Sequence, residues 1–485
     1  MMYSGYKPYF DTEIESLIER INPPRIIIDN ETDKDCSRVK VDSANKDGIL
    51  LEMVQVLTDL NLIISKSYIS SDGGWFMDVF HVTDQHGNKI TDEHLIHYIE
   101  QALCAGKKEA KAKAKAKEMQ THLGDVVGPI HVPIDQFNAM EMTVTDRPGL
   151  LSEVSAVLVE LGFHVVSVAA WTHNSRAACI MYFEDDSRGG PVTDLHRLAH
   201  AEEQLESVVG AHHFMGERRG VRLSAPKVGR IHTERRLHQL MYADRDYDLC
   251  FCGDGEADDQ RKGSSSCSNW RGAQVSIEIC NEKEYTVVNV TSRDRPKLLF
   301  DTVCTLTDMK YVVSHAAISS QGSLAVQEYF IRHMDGCILN TEGEKERVIK
   351  CLVASIERRV SHGLRLDLCT RNRIGLLSDI TRVFREHGMS LSRADLGTRG
   401  DQAIGSFYVT DSSGHAVDLR MVELVRNEIG ETILKVNKSS AWDTLHYSSS
   451  SARSIEERTA RSSTLGSILW AQLERLSSNF GPIRS

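Results

Sequence analysis

Aromatic residues are scarce, making up 6% of the 485 positions, so aliphatic and small side chains must fill most of any core. No apolar run approaches the roughly 20 residues that a membrane-spanning helix needs. The opening stretch MMYSGYKPYFDTEIESLIER lacks the basic-then-apolar order of a secretory signal, and the cytosol or nucleus is the expected location. A net positive charge is also missing: the formal net charge is -11, which gives no general attraction to phosphate backbones or anionic lipids. A nucleic-acid partner is therefore not expected.

Chemistry-bearing motifs are absent as well. The 20 histidines include no HExxH pair; His81 stands alone in a strand pattern, and His212 and His213 lie near a linker. The 11 cysteines are scattered, several inside apolar runs such as AACIMYF and TVCTL, as buried thiols are. Cys250 and Cys252, with Cys267 and Cys280 downstream, are spaced by one residue where zinc knuckles use two to four. The Cys-Gly-Asp-Gly run lacks the glycine spacing of a nucleotide loop. No metal, cofactor or catalytic set is expected, and the chain reads as a non-enzyme.

What is present is a repeat. A chain of this length divides into several domains, and four segments align without gaps: VKVDSANKDGILLEMVQVLTDLN, MEMTVTDRPGLLSEVSAVLVELG, VVNVTSRDRPKLLFDTVCTLTDMK and LRLDLCTRNRIGLLSDITRVFREHG. Each runs from a strand-like stretch through a polar loop into an amphipathic helix, anchored at Gly48, Gly149, Lys297 or Gly375. Thirteen positions on stand Asn61, Gly162, Lys310 and Gly388; glycine and asparagine suit a left-handed helix end, and lysine suggests that the geometry varies there. Sixteen positions on, Ile64, Val165, Val313 and Leu391 lie in a second strand. After a polar turn, a third strand ends thirty-six positions past the anchor at Asp84, Asp185, His333 and Asp411, which polar turn chemistry explains without a functional role.

Second helical stretches follow at roughly 91 to 104, 194 to 209, 344 to 360 and 418 to 430. The expected fold is α+β: four ferredoxin-like βαββαβ modules, each an antiparallel sheet with two helices on one face. Open sheet edges favour side-by-side pairing of modules.

These features resemble ACT domains, and the fourfold repeat resembles the plant ACR (ACT domain repeat) family. The module loop appears as NKDG, DRPG, DRPK and NRIG, each followed by two aliphatics, and HTERRLHQLMYADRDYD, residues 232–248, resembles a segment before the third module of that family. The resemblance implies regulatory modules that bind amino acids where two copies meet, using the first loop and helix start. It nominates Asn45, Gly48, Ile49, Asp146, Gly149, Leu150, Asn372, Gly375 and Leu376 as ligand-binding. A physical basis exists: amides at a helix start suit a carboxylate, and glycine permits close approach. Helix capping by Asn45, Asp146, Asp294 and Asn372, and plain turn formation by the glycines, explain the same residues. Lys297 departs from the pattern and puts the third site in doubt. Bacterial PII uridylyltransferases are similar in carrying paired ACT modules behind catalytic domains, but no GSxDxD or HD motif occurs here.

The expected organisation is an N-terminal extension (1–36), modules at 37–115 and 137–215 around a linker (116–136), a long linker (216–283), modules at 284–360 and 361–440, and a serine-rich tail (441–485). The lysine-alanine stretch after the first module suits a solvated helical rod. The long linker divides the chain into a first and a second pair of modules. The tail offers a partner-binding helix in SILWAQLERLSSNF or a cap for the fourth module. The leading expectation is a sensor of a free amino acid or similar metabolite that signals to an effector protein; a ligand-independent scaffold is the alternative. Self-association through spare edges stays open.

Overall fold

The computed structural model describes residues 24–45, 48–72, 75–104, 134–211, 218–249, 272–280, 284–360 and 362–437. The lysine-alanine rod, the Cys250, Cys252 and Cys267 group and the C-terminal helix lie outside these residues. Strands form where β-branched and aromatic residues alternate with polar ones. Helices form where aliphatics recur at three and four positions.

In the first module β1 (Arg25–Asp29) and β2 (Ser37–Ala44) lead into α1 (Ile49–Asp59), β3 (Ile63–Asp72), β4 (Trp75–Thr83) and α2 (Glu93–Cys104). The second comprises β5 (Asn138–Thr145), α3 (Leu150–Glu160), β6 (Phe163–His173), β7 (Arg176–Asp185), α4 (Leu195–Gly210) and β8 (Gly220–Ser224). Helix α5 (Thr233–Ala243) follows. The third has β9 (Gln274–Cys280), β10 (Tyr285–Arg293), α6 (Leu298–Asp308), β11 (Tyr311–Gln321), β12 (Leu324–His333) and α7 (Glu342–Glu357). The fourth has β13 (Leu364–Arg371), α8 (Leu376–Glu386), β14 (Met389–Arg399), β15 (Gln402–Asp411), α9 (Leu419–Ile429) and β16 (Leu434–Asn437).

Modules 2 and 4 follow the expected βαββαβ order. In modules 1 and 3 the edge strand precedes the others in sequence: β1 and β9 occupy the sheet positions that β8 and β16 occupy elsewhere. An antiparallel edge strand needs only a short loop to its neighbour, and either chain end can supply it. No helix among the described residues is long and apolar enough to cross a membrane.

Pairing joins alternate copies, where the long linker had suggested neighbours. One eight-stranded sheet runs β1-β2-β4-β3-β11-β12-β10-β9 and the other β16-β13-β15-β14-β6-β7-β5-β8. Modules 1 and 3 thus share a sheet through β3 and β11, and modules 2 and 4 through β6 and β14. Each sheet belongs to its own compact unit.

In each unit the first helices of the paired modules pack together, α1 on α6 and α3 on α8. At the sixth position past each anchor, unit 2 sets Ser155 Oγ 3.2 Å from Thr381 Oγ1, whereas unit 1 has Val54 and Val303, both buried. The second strand of every module carries a bulge seventeen positions past its anchor, at Ser65, Val166, Ser314 and Ser392. Such a bulge bends the strand and increases its twist.

Helix α5 covers the face of the second module's sheet opposite its own helices. Leu237 and Met241 pack on Trp171, Ala178, Ile180 and Tyr182. Strand β7 is consequently buried on both faces, from Arg176 through Phe183 without a break.

Candidate functional site

Every module begins its first helix in the same way. The anchor backbone is left-handed, with φ of 84° at Gly48, 81° at Gly149, 64° at Lys297 and 75° at Gly375. Glycine adopts this conformation freely, while a side chain there costs about 1–2 kcal/mol. Lys297 therefore preserves the loop geometry at an energetic cost. The helix ends behave alike: Asn61, Gly162, Lys310 and Gly388 are all left-handed, so lysine does not change the geometry there either.

The first helical hydrogen bonds run from the amides of Glu52, Glu153, Asp301 and Asp379 to the anchor carbonyls. The amides just before them lie ahead of the helical ladder, at the positive end of the helix dipole. The side chains of Ile49, Leu150 and Leu376 are buried in the core, which leaves only their backbone to meet a ligand.

The capping expectation is corrected. The N-cap is the anchor itself in each case, without a side-chain bond. Asn45, Asp146, Asp294 and Asn372 sit three residues upstream, where the loop faces the end of the second strand. Asn45 Nδ2 donates to Ser71 Oγ at 2.5 Å, Asn372 Nδ2 lies 3.5 Å from Thr398 Oγ1, and Ser320 bonds the Asp294 carboxylate. All three partners stand twenty-three positions past their anchors. In unit 2 these hydroxyls also bridge modules: Thr172 Oγ1 donates to the carbonyl of Ser392 at 3.1 Å and Thr398 Oγ1 to that of Val166 at 2.7 Å.

A second device closes the loops. Arg147 grips Glu153 through two bonds of 3.0 and 2.5 Å, Arg295 pairs with Asp301 at 2.7 Å, and Arg373 with Asp379 at 2.5 Å. Each arginine is neutralised by the acid one turn into its own helix.

The loops of unit 2 differ in what faces them. Asp146, Arg147, Gly149, Leu151 and Ser152 line a cleft completed by Phe384, Arg385, Met389 and Ser392 of the fourth module. A Cβ on Gly149 would lie 2.8 Å from Arg385 Cδ, while one on Gly375 would meet only Val159 at 4.0 Å. Arg385 is exposed and makes no ion pair among the described residues.

Burial pushes the Asp146 carboxyl up to about 6. Opposite the fourth loop stands His164, its Nε2 3.1 Å from Asn372 Nδ2 and its pKa lowered by burial. The cleft volume is 40 Å³, room for about three waters.

Structure thus brings Asp146, Gly149 and Leu150 to one cleft and sets Asn372, Gly375 and Leu376 at the other end of the same module contact. Asn45, Gly48 and Ile49 lie in unit 1. Arg385, His164 and the hydroxyls at the twenty-third position went unnoticed in the sequence. Arg385 had a signal: its counterparts ten positions past the other anchors are Thr58, Val159 and Thr307, so it is the one charge at that position.

The strand ends at Asp84, Asp185 and Asp411 do turn work, and Asp185 also pairs with Arg197 of α4. Each carboxylate accepts amides of the following turn, as from Asn88 at 2.7 Å and His415 at 2.7 Å. In the third module Asp335 takes this role, accepting from Cys337 at 2.9 Å.

Four ferredoxin-like modules joined edge to edge in two pairs, with the helix-start loops of unit 2 set at the module contact, define a regulatory protein of the ACT-domain class. A model of the ACR family N-terminal ACT domain matches residues 32–110, and an ACT domain model matches residues 365–430. The chain is 50% identical over 488 residues to the ACT domain-containing protein ACR1 of Arabidopsis thaliana, covering 99% of each. It is 53% identical over 433 residues to ACR3 of that plant, covering 89% of this chain and 91% of the relative. The chain belongs to this plant family of ACT-domain-repeat proteins. A bifunctional uridylyltransferase/uridylyl-removing enzyme of Gluconobacter oxydans (strain 621H) is similar at 23% identity, over 46% of this chain and 20% of that enzyme.

Proposed function

We propose that this protein senses a free amino acid through the cleft between its second and fourth modules and passes the signal to a partner protein. The observation that carries the reading is the placement of opposite charges in one cleft. The half-buried Asp146 carboxyl suits an ammonium, while the Leu151 and Ser152 amides and the Arg385 guanidinium suit a carboxylate.

Met142, Cys179, Phe384 and Met389 wall the cleft, which favours aliphatic side chains among amino acids. The cleft is too small for such a ligand as it stands. Binding therefore requires Arg385 and the module contact to give way, and a ligand that binds the opened pair better shifts the arrangement toward it. Gly48 and Gly375 are secondary sites in this proposal, lacking an arginine opposite. The cytosolic or nuclear address belongs to the same proposal, and a fluorescent-protein fusion reads it.

The test is a thermal-shift screen of the full chain against the common amino acids, confirmed by calorimetry. A ligand that binds only the folded state raises the melting temperature. The expected result is a selective hit that Gly149→Val and Asp146→Asn each abolish in folded protein. Silence in both measurements, or a hit untouched by either variant, would overturn the reading.

A further inference from the structure

Unit 1 carries a cluster that the regulatory reading does not use. Asp33 and Cys36 lie in the stretch between β1 and β2, and His81 lies on β4 beside β2, its residue paired with Arg38 in the sheet register. His81 Nδ1 is 3.2 Å from Asp33 Oδ2 and 3.6 Å from Cys36 Sγ, and Cys36 Sγ is 3.7 Å from Asp33 Oδ2.

We propose that Asp33, Cys36 and His81 form a site for a zinc-like transition-metal ion, with the fourth coordination position open to solvent. Zinc bound to oxygen, nitrogen and sulfur at tetrahedral angles holds those atoms about 3.3 Å (O to N), 3.6 Å (N to S) and 3.5 Å (O to S) apart. The three observed separations match one face of that tetrahedron to within a few tenths of an ångström.

The surroundings hold this face in shape. Strand pairing fixes the backbone at His81 and at Ser37, the residue next to Cys36, while Lys89 Nζ holds the Asp33 backbone by its carbonyl. Arg38 Nε donates to the Asp33 carboxylate, as outer groups do for metal-bound carboxylates. Side-chain exposure is 12% at His81 and 29% at Asp33, so the ligands are shielded and the open vertex is reachable.

A thiolate and a carboxylate together balance a divalent charge, and imidazole and thiolate select transition ions over magnesium and calcium. Cysteine binds as its thiolate, so the ion must displace the thiol proton, and binding strengthens as pH rises. Arg38 and Lys66 oppose the incoming charge, and the net affinity is set against them. A bound ion would tie the loop after the edge strand β1 to the first module's sheet.

The experiment is cobalt(II) titration of the chelator-treated full chain, followed by zinc competition. Expected are thiolate-to-cobalt charge-transfer absorption with the visible bands of a four-coordinate ion, displacement by zinc, and release of about one proton per ion at neutral pH. Cys36→Ser and His81→Ala should each weaken binding by about 100-fold or more. A Cys250→Ser/Cys252→Ser double variant should leave the bands in place. Circular dichroism establishes that each variant is folded, and zinc should raise the melting temperature of the parent but not of Cys36→Ser. Absence of charge transfer, or bands that survive Cys36→Ser or vanish in the Cys250/Cys252 variant, would overturn the site and leave a hydrogen-bonded cluster only.

Discussion

Single backbone angles govern the first loops. Lys297 pays the left-handed penalty that Gly48, Gly149 and Gly375 avoid, and Lys297→Gly should stabilise the protein by about 1 kcal/mol in urea unfolding. Gly149→Ala should do the reverse by about 1–2 kcal/mol, since its Cβ combines an unfavourable φ with the Arg385 contact.

Asp146 separates stability from binding. Its folded pKa lies above the unfolded value, so folding gains stability as pH falls from about 6 toward 4. Asp146→Asn should therefore stabilise the chain at pH 7 by up to about 3 kcal/mol while removing the ligand response. In the parent, affinity for an amino acid should rise between pH 5 and pH 7 as the carboxyl ionises. Calorimetry across that range checks both expectations. The anchors and loop residues were legible in the sequence because they recur at fixed intervals; Arg385 left a signal as the one charge at its position, but its target and that of His164 were hidden, because each acts on a loop more than 200 positions away in the chain.

The decisive element is α5, which sequence resemblance marked but whose seat it did not reveal. The clue was strand β7, whose run AACIMYF lacks the alternation of a half-exposed strand. Below the apolar contacts lies a buried ion cluster. Asp246 accepts two bonds from Arg358, at 2.5 and 2.7 Å, and lies 2.9 Å from His173 Nδ1. His173 Nε2 lies 3.6 Å from Glu357, and His238 Nδ1 is 3.2 Å from Arg358.

Asp246→Ala should destabilise unit 2 by about 3–5 kcal/mol, because it leaves Arg358 buried without its partner. Burial opposes charge on His173, but its bonds to Asp246 and Glu357 outweigh this and raise its pKa. Its contribution is complete below about pH 6.5 and is lost as pH rises through the folded value. Burial likewise opposes the charge of Asp246, yet Arg358 and His173 hold its pKa low, so its contribution persists until strongly acid pH. The protection factors of the α5 amides, taken against the intrinsic rise of exchange with pH, should fall above pH 6.5 in the parent and stay level in His173→Gln.

At the scale of the whole molecule, module content was readable and module pairing was not. Local periodicity reports which face a strand buries, but a shared edge is a backbone match that any two modules can make. The alternate pairing has a direct test. Residues 1–270 carry modules 1 and 2, which do not pair with one another, so this fragment should aggregate or stay loosely packed alone. Mixed with residues 271–485, it should form a one-to-one complex with the spectrum of the intact chain. A well-packed monomer from residues 1–270 would count against the pairing.

The same alternation puts a clock on biosynthesis. Strand β3 leaves the ribosome about 240 residues before β11, a wait of roughly 10–50 s at ordinary elongation rates. During much of it β6 is present too, with its own partner unmade. Two sticky edges of the same design are then neighbours on one nascent chain, and the nearest available match is the wrong one. Discrimination falls in part to the helices above them, where one pair meets through hydroxyls and the other carries buried valines at the same position. Ser155→Val with Thr381→Val would erase that difference, and its first symptom should be a poorer yield of correctly assembled protein, ahead of any loss in the stability of what does assemble.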